Sequence, residues 1–419
     1  MIFLPFIFFS LLSLYLWKKH RYLDISLYMS LLYTFTTFCA IPLVLFDMLG
    51  EGGVLFDATD IELNLLPTII FCVVIGLNIM PFSMVYTKEI KEITHPMPFV
   101  LEGVSWLLIL VSMLNLYVVA DSTMDILQGD LRAVREAHYG GLMTPAEIKV
   151  SSMPFLIQFF YYFNTSTLLC LPLFFYHLCF KKKPSWYMGL LFLSSLSCPL
   201  SGIQTADRTE IIFYSMMFIL CLLFFYPHIS KRIRRIFVIL CIFLSTIITI
   251  YIVAVSQARF SDREDGAGIS VLQYTGQGYL NFCYFWENGK FDNISSEREF
   301  PFINHYYFKK DSNDDSRSER SGKEGFHINV FSTYVGDVMI DLTPIGMLMW
   351  IIIYFVISIV VIKKSHRSFY TIGEILLLFY LAITPVFGVF YYKQFYYTHT
   401  FMEFLCVILY VFSKIRIKI

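Results

Sequence analysis

The chain has 419 residues, 57% of them hydrophobic and only 15% charged, with a mean hydropathy of +0.63 and a formal net charge of zero. A soluble domain carries about 25% charged residues, so the composition excludes an ordinary soluble globular protein. The lack of net positive charge gives no footing for nucleic-acid binding.

A bilayer-spanning helix needs roughly 20 apolar residues. Apolar runs of suitable length occupy residues 1–17, 25–47, 65–86, 98–119, 152–180, 186–201, 210–226, 236–256, 345–362, 370–390 and 396–413. The first run is followed by Lys18-Lys19-His20-Arg21. A signal peptide carries its positive charge before the apolar stretch, so this run reads as a retained helix. The expected fold class is all-α: a polytopic integral membrane protein of about eleven transmembrane helices, a single domain over 1–419 with no internal repeat. The 43 Phe and 28 Tyr suit a bilayer's two interfaces, where an apolar ring with a polar tip is favoured.

Orientation follows from the basic residues, which concentrate on the cytoplasmic side of membrane proteins. Every second connection is short and basic: Lys18 to Arg21, Lys88 to Lys91, Lys181 to Lys183, Lys231 to Arg235, Lys363 to Arg367 and Lys414 to Lys418. These places hold 18 of the 32 Lys and Arg but only five carboxylates share their side, Asp24, Glu89, Glu92, Glu102 and Glu374. The alternation places the N-terminus outside and the C-terminus in the cytoplasm. The outer segments are then 48–64, 121–151, 202–209, 257–344 and 391–395. Loop 257–344 is the large one, expected to be periplasmic. Its aromatic stretch, Val271 to Trp286, reads as a short helix lying in the interface, and Lys309 to Lys323 is strongly polar. The smaller outer loop is 121–151. Eight of the nine cysteines sit in or beside apolar runs, without CxxC or Cys/His spacing, so neither a disulfide framework nor a zinc site is expected.

Four outer segments carry candidate chemistry. The turn Ser201 to Glu210 presents Arg208 between Asp207 and Glu210. An ionisable group at membrane depth costs roughly 2.5–3.5 kcal/mol and usually faces a cavity or a partner. The bland alternative is a self-neutralising surface turn. Arg259 and Arg263 stand where a helix leaves the membrane, a place where arginines also simply snorkel to headgroups. Arg132, Arg135 and His138 share a helical face beside Tyr139, a basic face that the insertion bias does not favour on the outside. The segment Gly325 to Gly346 holds His327, Asn329, Tyr334, Asp337 and Asp341. On a helix Tyr334, Asp337 and Asp341 fall on one face, and His327 is a proton acceptor suited to neutral pH. The two carboxylates are equally readable as solvated residues ahead of a span. The sequence has no Walker loop, GxGxxG, HExxH or DxD, and its cytoplasmic loops are too short for a nucleotide-binding module. Any reaction is expected on the outer side, without nucleotide, cofactor or metal, and driven by an activated substrate in the membrane.

These residues resemble the Wzy type of O-antigen and capsule repeat-unit polymerases: the outward Asp207-Arg208 turn, Arg259 at the start of a large outer loop, and His327-x-Asn329 running to Gly346. The resemblance covers most of the chain in topology and about fifty residues in motifs. The acidic-Gly ending of the last motif is loosely matched by Asp341-Leu342-Thr343-Pro344-Ile345-Gly346.

The resemblance implies a membrane glycosyltransferase of the bacterial inner membrane. It would transfer oligosaccharide from undecaprenyl pyrophosphate to the sugar of another lipid-linked repeat unit, with membrane lipid and a chain-length regulator protein as further partners. In that scheme Arg208 and Arg259 stabilise the lipid pyrophosphate leaving group and His327 accepts the proton of the attacking hydroxyl. Arg132, Arg135, Tyr139, Arg263, Asn329, Tyr334 and Asp337 contribute to substrate binding. Tyr274, Tyr279, Tyr284 and Trp286 are candidates for stacking on sugars, or for anchoring in the interface. An O-antigen ligase is the chemically related alternative. A non-catalytic transporter or flippase is the alternative from another class.

Overall fold

A computed structural model of the chain describes residues 1–46, 48, 63–95, 97–128, 143, 145–181, 183–204, 209–239, 246, 250, 266–291, 330–364, 368–390 and 397–415. The described residues are mostly helical. The helices are α1 (Phe3–His20), α2 (Ile25–Leu45), α3 (Leu65–Ile79), α4 (Pro98–Gln128), α5 (Pro145–Ser151), α6 (Phe155–Tyr162), α7 (Cys170–Tyr176), α8 (Ser185–Ser195), α9 (Ser197–Ile203), α10 (Thr209–Phe225), α11 (Gly266–Asn288), α12 (Thr333–Lys364), α13 (Ile372–Phe387) and α14 (Tyr397–Lys414).

Six helical segments among the described residues are long and apolar enough to cross a membrane: Ile25–Leu45, Leu65–Glu89, Pro98–Ala120, Ser185–Ile203, Thr209–His228 and Thr333–Lys363. A seventh arises if Phe155–Tyr162 and Asn164–Phe180, bent by 57° at Phe163, count as one span. The sequence runs 1–17, 370–390 and 396–413 also hold helices, α1, α13 and α14, which fall short on length or apolarity. Helix α13 has 16 residues, below the roughly 20 needed for an untilted crossing. Most of run 236–256 lies outside the described residues.

Packing divides the chain into two compact units. The first comprises Met1–Tyr86, Gly268–Lys364 and Tyr380–Tyr397, and the second Thr87–Ala267, Ser365–Phe379 and Thr398–Ile419. In the first unit α1 ends on Lys18, Lys19 and His20, cations that complement the helix C-terminal dipole. Arg21, at φ 55°, closes it with its N–H on the Trp17 carbonyl. Asp24 then caps α2 by accepting from the Leu27 N–H at 2.9 Å. The short link makes α1 and α2 antiparallel neighbours, as the pairs Phe6–Phe38, Phe9–Tyr33 and Ser13–Ser30 record. Phe71 of α3 fills the core against Phe9, Tyr279 and Phe282. Helix α11 presses so closely on α2 that a Cβ at Gly276 would lie 2.7 Å from the Ala40 nitrogen and the Cys39 carbonyl.

Helix α11 covers the stretch expected in the interface. Instead it is packed within the unit, with residues 276–283 all buried. Three of its carboxamide side chains bond internally: Gln273 donates to the Met48 carbonyl at 2.7 Å, and Asn281 donates to Gln277 and to the Phe331 carbonyl.

The second unit gathers α4 to α10, α14 and the first turns of α13. It also holds a two-stranded parallel pairing, β1 (Glu92–Thr94) with β2 (Phe369–Thr371), in register Glu92 to Phe369. This small addition to an otherwise all-α fold joins two basic connections.

Candidate functional site

Of the residues singled out from the sequence, Arg132, Arg135, Tyr139, Arg208, Arg259, Arg263, His327 and Asn329 lie outside the described residues. Tyr334 and Asp337, with Asp341, fall in the first unit at the start of α12, and all three are fully buried. The helix is broken at Thr343, whose φ of 65° and ψ of 167° belong to a region that only glycine adopts without strain. Pro344 follows, removing a backbone donor. Thr333, at the other end, also has positive φ, 62°. For a β-branched residue this is a true outlier. The segment that carries the carboxylates is therefore a short helix, about 333–342, held between two strained threonines.

Its surroundings explain how it is held. The Thr333 and Tyr334 N–H groups donate to the carbonyls of Phe390 and Gly388 at 3.0 and 2.8 Å. The Tyr334 hydroxyl accepts from Asn78 Nδ2 at 2.7 Å. The Ser332 hydroxyl donates to Asp337 Oδ1 at 2.6 Å, a short charge-assisted geometry. Gly336 permits this closeness, since a Cβ there would meet Ser332 Cβ at 2.6 Å. Buried carboxylates in a membrane-spanning helix are expensive and usually functional.

The sequence reading passed over three members of this neighbourhood. Asn78 is a lone amide inside an apolar run, and Gln277 and Asn281 stand one helical turn apart in an aromatic stretch. A polar side chain inside an apolar run is the signal that finds them. Tyr279 is buried and bonded to Thr68 at 2.8 Å, so it is no platform for a sugar. Burial pushes the Cys283 thiol up to about 12, which keeps it protonated and inert as a nucleophile. Among the described residues no three His, Cys, Asp or Glu side chains gather as a metal site.

The second unit describes the helix ends that flank two of the arginine segments in sequence. Gln204, the last described residue before Arg208, is buried and donates to Thr123 Oγ1 at 2.7 Å. Thr123 lies near the end of α4, which leads into the segment of Arg132 and Arg135. On the far side of the turn, Cys198 contacts Glu210 Oε2 at 3.3 Å. The helix ends from which both arginine segments depart are thus pinned together.

No family model, no characterised protein and no solved structure matches the chain.

Proposed function

We propose that the protein polymerises lipid-linked oligosaccharide repeat units on the outer face of the plasma membrane. Glycan passes from undecaprenyl pyrophosphate to an acceptor sugar. The observation that carries this reading is the strained, buried helix of Tyr334, Asp337 and Asp341, which directly follows His327 and Asn329 in the segment that resembles Wzy-type polymerases. A firmly held helix that follows the proposed base in sequence suits a reaction whose efficiency depends on positioning. The Gln204–Thr123 anchor supports the same reading, because it starts the Arg208 and Arg132 segments from one place. Arg208 and Arg259 bind the pyrophosphate leaving group, His327 takes the hydroxyl proton, and direct displacement inverts the anomeric centre. The proposed topology has about eleven crossings, with the N-terminus outside and 257–344 as the outer loop.

The test is surface polysaccharide from cells expressing Arg208→Ala, Arg259→Ala and His327→Ala at normal levels. Polymerase loss leaves single repeat units on the lipid core, whereas ligase loss leaves a bare core. Long polymer from all three variants would refute the proposal.

One observation favours a second reading, transport of the lipid-linked glycan. Transporters place substrate and ion sites at broken membrane helices, and α12 is a broken helix with two buried carboxylates. Flipping of lipid-linked oligosaccharide by the purified protein in vesicles, without chain growth, would select it.

A further inference from the structure

Residues 231–239 of the second unit are helical, and their two sides differ in kind. Successive helical residues turn by about 100°. On that geometry Lys231, Arg232, Arg235, Ile236, Val238 and Ile239 fill one contiguous arc of about 160°, and all six are exposed. Ile233, Arg234 and Phe237 occupy the opposite side and are covered in part or in full. Their contacts fix the rotation of the helix. Phe237 is buried, its ring 5.4 Å from that of Phe175 and 6.2 Å from those of Phe174 and Phe218. Arg234 turns back on the preceding segment. Its Nε donates to the Ile229 carbonyl at 2.8 Å, its Nη2 donates to the Pro227 carbonyl at 3.1 Å, and its guanidinium lies 4.5 Å from the centre of the Tyr226 ring. One cation of the run is thus committed to the fold, and the other three point outward.

The exposed face is also divided along its length. The three cations come first and the three aliphatic side chains follow, all within about 12 Å of helix axis. No Asp or Glu stands between Glu210 and Asp262 to neutralise the cations. Among the described residues none of the three is ion-paired, whereas Glu102 and Glu374 are taken by Lys183 and Lys414. Insertion bias asks only that positive charge lie on this side. It does not ask that three cations share one face and lead directly into exposed aliphatics. A soluble anion would use the cations alone, and a neutral lipid the aliphatics alone. A phosphate headgroup with acyl chains uses both, and arginine's planar fork suits phosphate oxygens. We propose that this face binds an anionic phospholipid, its headgroup on Lys231, Arg232 and Arg235 and an acyl chain along Ile236 and Ile239, which follow Arg232 by four and seven residues. The inference rests on the proposed topology, which puts Lys231 at the cytoplasmic end of run 236–256, and not on the polymerase chemistry.

The test uses the full chain purified in detergent, where lipid reaches both ends of every helix. Phosphatidylglycerol should bind saturably by native mass spectrometry. It should also raise the thermal unfolding midpoint saturably, since a ligand of the folded state stabilises it by mass action. Phosphatidylcholine with the same acyl chains should bind at least about tenfold more weakly, and so should glycerol phosphate, which offers the phosphate without the chains. Lys231→Gln, Arg232→Gln and Arg235→Gln combined should weaken phosphatidylglycerol binding at least about tenfold. The lipid-free midpoint should stay in place, because all three side chains are exposed. Arg232→Lys with Arg235→Lys keeps the charge and should retain binding. Equal binding of the two lipids would overturn the proposal, and so would loss of binding by the charge-keeping pair. Glycerol phosphate bound as tightly as phosphatidylglycerol would make the ligand a soluble phosphate. Wild-type affinity in the triple variant would overturn the assignment to this face. Any of these results, with residue 235 still reported as cytoplasmic in cells, would sink the lipid site and leave the topology standing.

Discussion

A methyl group added at Gly276 tests the close backbone approach of α11 to α2 in the first unit. Its Cβ would stand 2.7 Å from the Ala40 nitrogen and from the Cys39 carbonyl carbon and oxygen. Ordinary non-bonded contacts are about 3.5–4.0 Å, so α11 and α2 must separate by roughly 1 Å. The obstructing atoms are backbone, and no side-chain rotation relieves them. Overpacking of this kind costs about 1–3 kcal/mol, and a gap of that size forfeits about a quarter to a half of the attraction at each neighbouring contact. Replacing a mid-helix glycine by alanine gains only about 0.5–1 kcal/mol in backbone entropy, so the clash wins. Gly103 in α4 and Gly189 in α8 are the controls, because a Cβ at either meets nothing within 4 Å. There the same substitution should stabilise by about 0.5–1 kcal/mol. The readout is thermal unfolding in detergent with a thiol-reactive fluorophore, which reports exposure of the buried Cys39, Cys72, Cys170, Cys221, Cys283 and Cys406. Midpoints should fall in the order Gly276→Ala, wild type, then Gly103→Ala and Gly189→Ala. A Gly276→Ala protein as stable as Gly103→Ala would refute the close approach.

Thr343→Gly should raise the unfolding midpoint. Relief of a backbone conformation costing about 1–3 kcal/mol outweighs the roughly 0.5–1 kcal/mol that glycine adds to unfolded-state entropy; a lowered midpoint would show that the break at φ 65° stores no strain. For Asp24, between α1 and α2, burial pushes the carboxyl above its ordinary value, while the Leu27 N–H, His20 and the Ser26 hydroxyl pull it back. The folded chain then keeps this proton to higher pH than the unfolded chain does. The resulting stability is complete below the unfolded value of about 3.9 and is lost as pH rises through the raised native value. Asp24→Asn should flatten that decline, so the wild-type unfolding midpoint should drop relative to the variant's as pH rises; parallel curves would remove Asp24 as the cause.

Much of the helical plan was legible because lipid imposes a simple rule, an apolar run long enough to cross. The departures have physical causes. Helix α11 reads as interfacial because Gln273, Gln277 and Asn281 interrupt its aromatic run, yet each finds a partner inside the unit. Internal hydrogen bonding turns an amphipathic-looking segment into a buried one. Pro344 marks the break in α12, but the strain falls on Thr343, which nothing in its own chemistry predicts. Strands of three residues such as Glu92–Thr94 are too short to show a period of two. Asp337 and Asp341 were readable either as solvated or as functional, and burial removes the solvated reading.

The proposed alternation of sides has a consequence for which groups can touch. Two groups that touch outside the bilayer core lie at the same membrane face, so an even number of crossings separates them. Gln273 donates to the Met48 carbonyl at 2.7 Å. Between these residues lie the apolar runs 65–86, 98–119, 152–180, 186–201, 210–226 and 236–256. If all six cross, as proposed, the number is even and the contact is consistent with the alternation. The β1–β2 pairing likewise brackets six proposed crossings, 98–119 to 345–362. Closer pairs agree: Glu102 with Lys183 at 2.5 Å, Gln204 with Thr123, His228 with the Thr87 carbonyl, and Glu374 with Lys414. This agreement supports the proposed alternation of sides. Topology reporters fused after Arg235 and after Gly289 should therefore report opposite faces, the cytoplasmic one first. The same face from both would break the parity and, with it, the outward placement of Arg259 and His327.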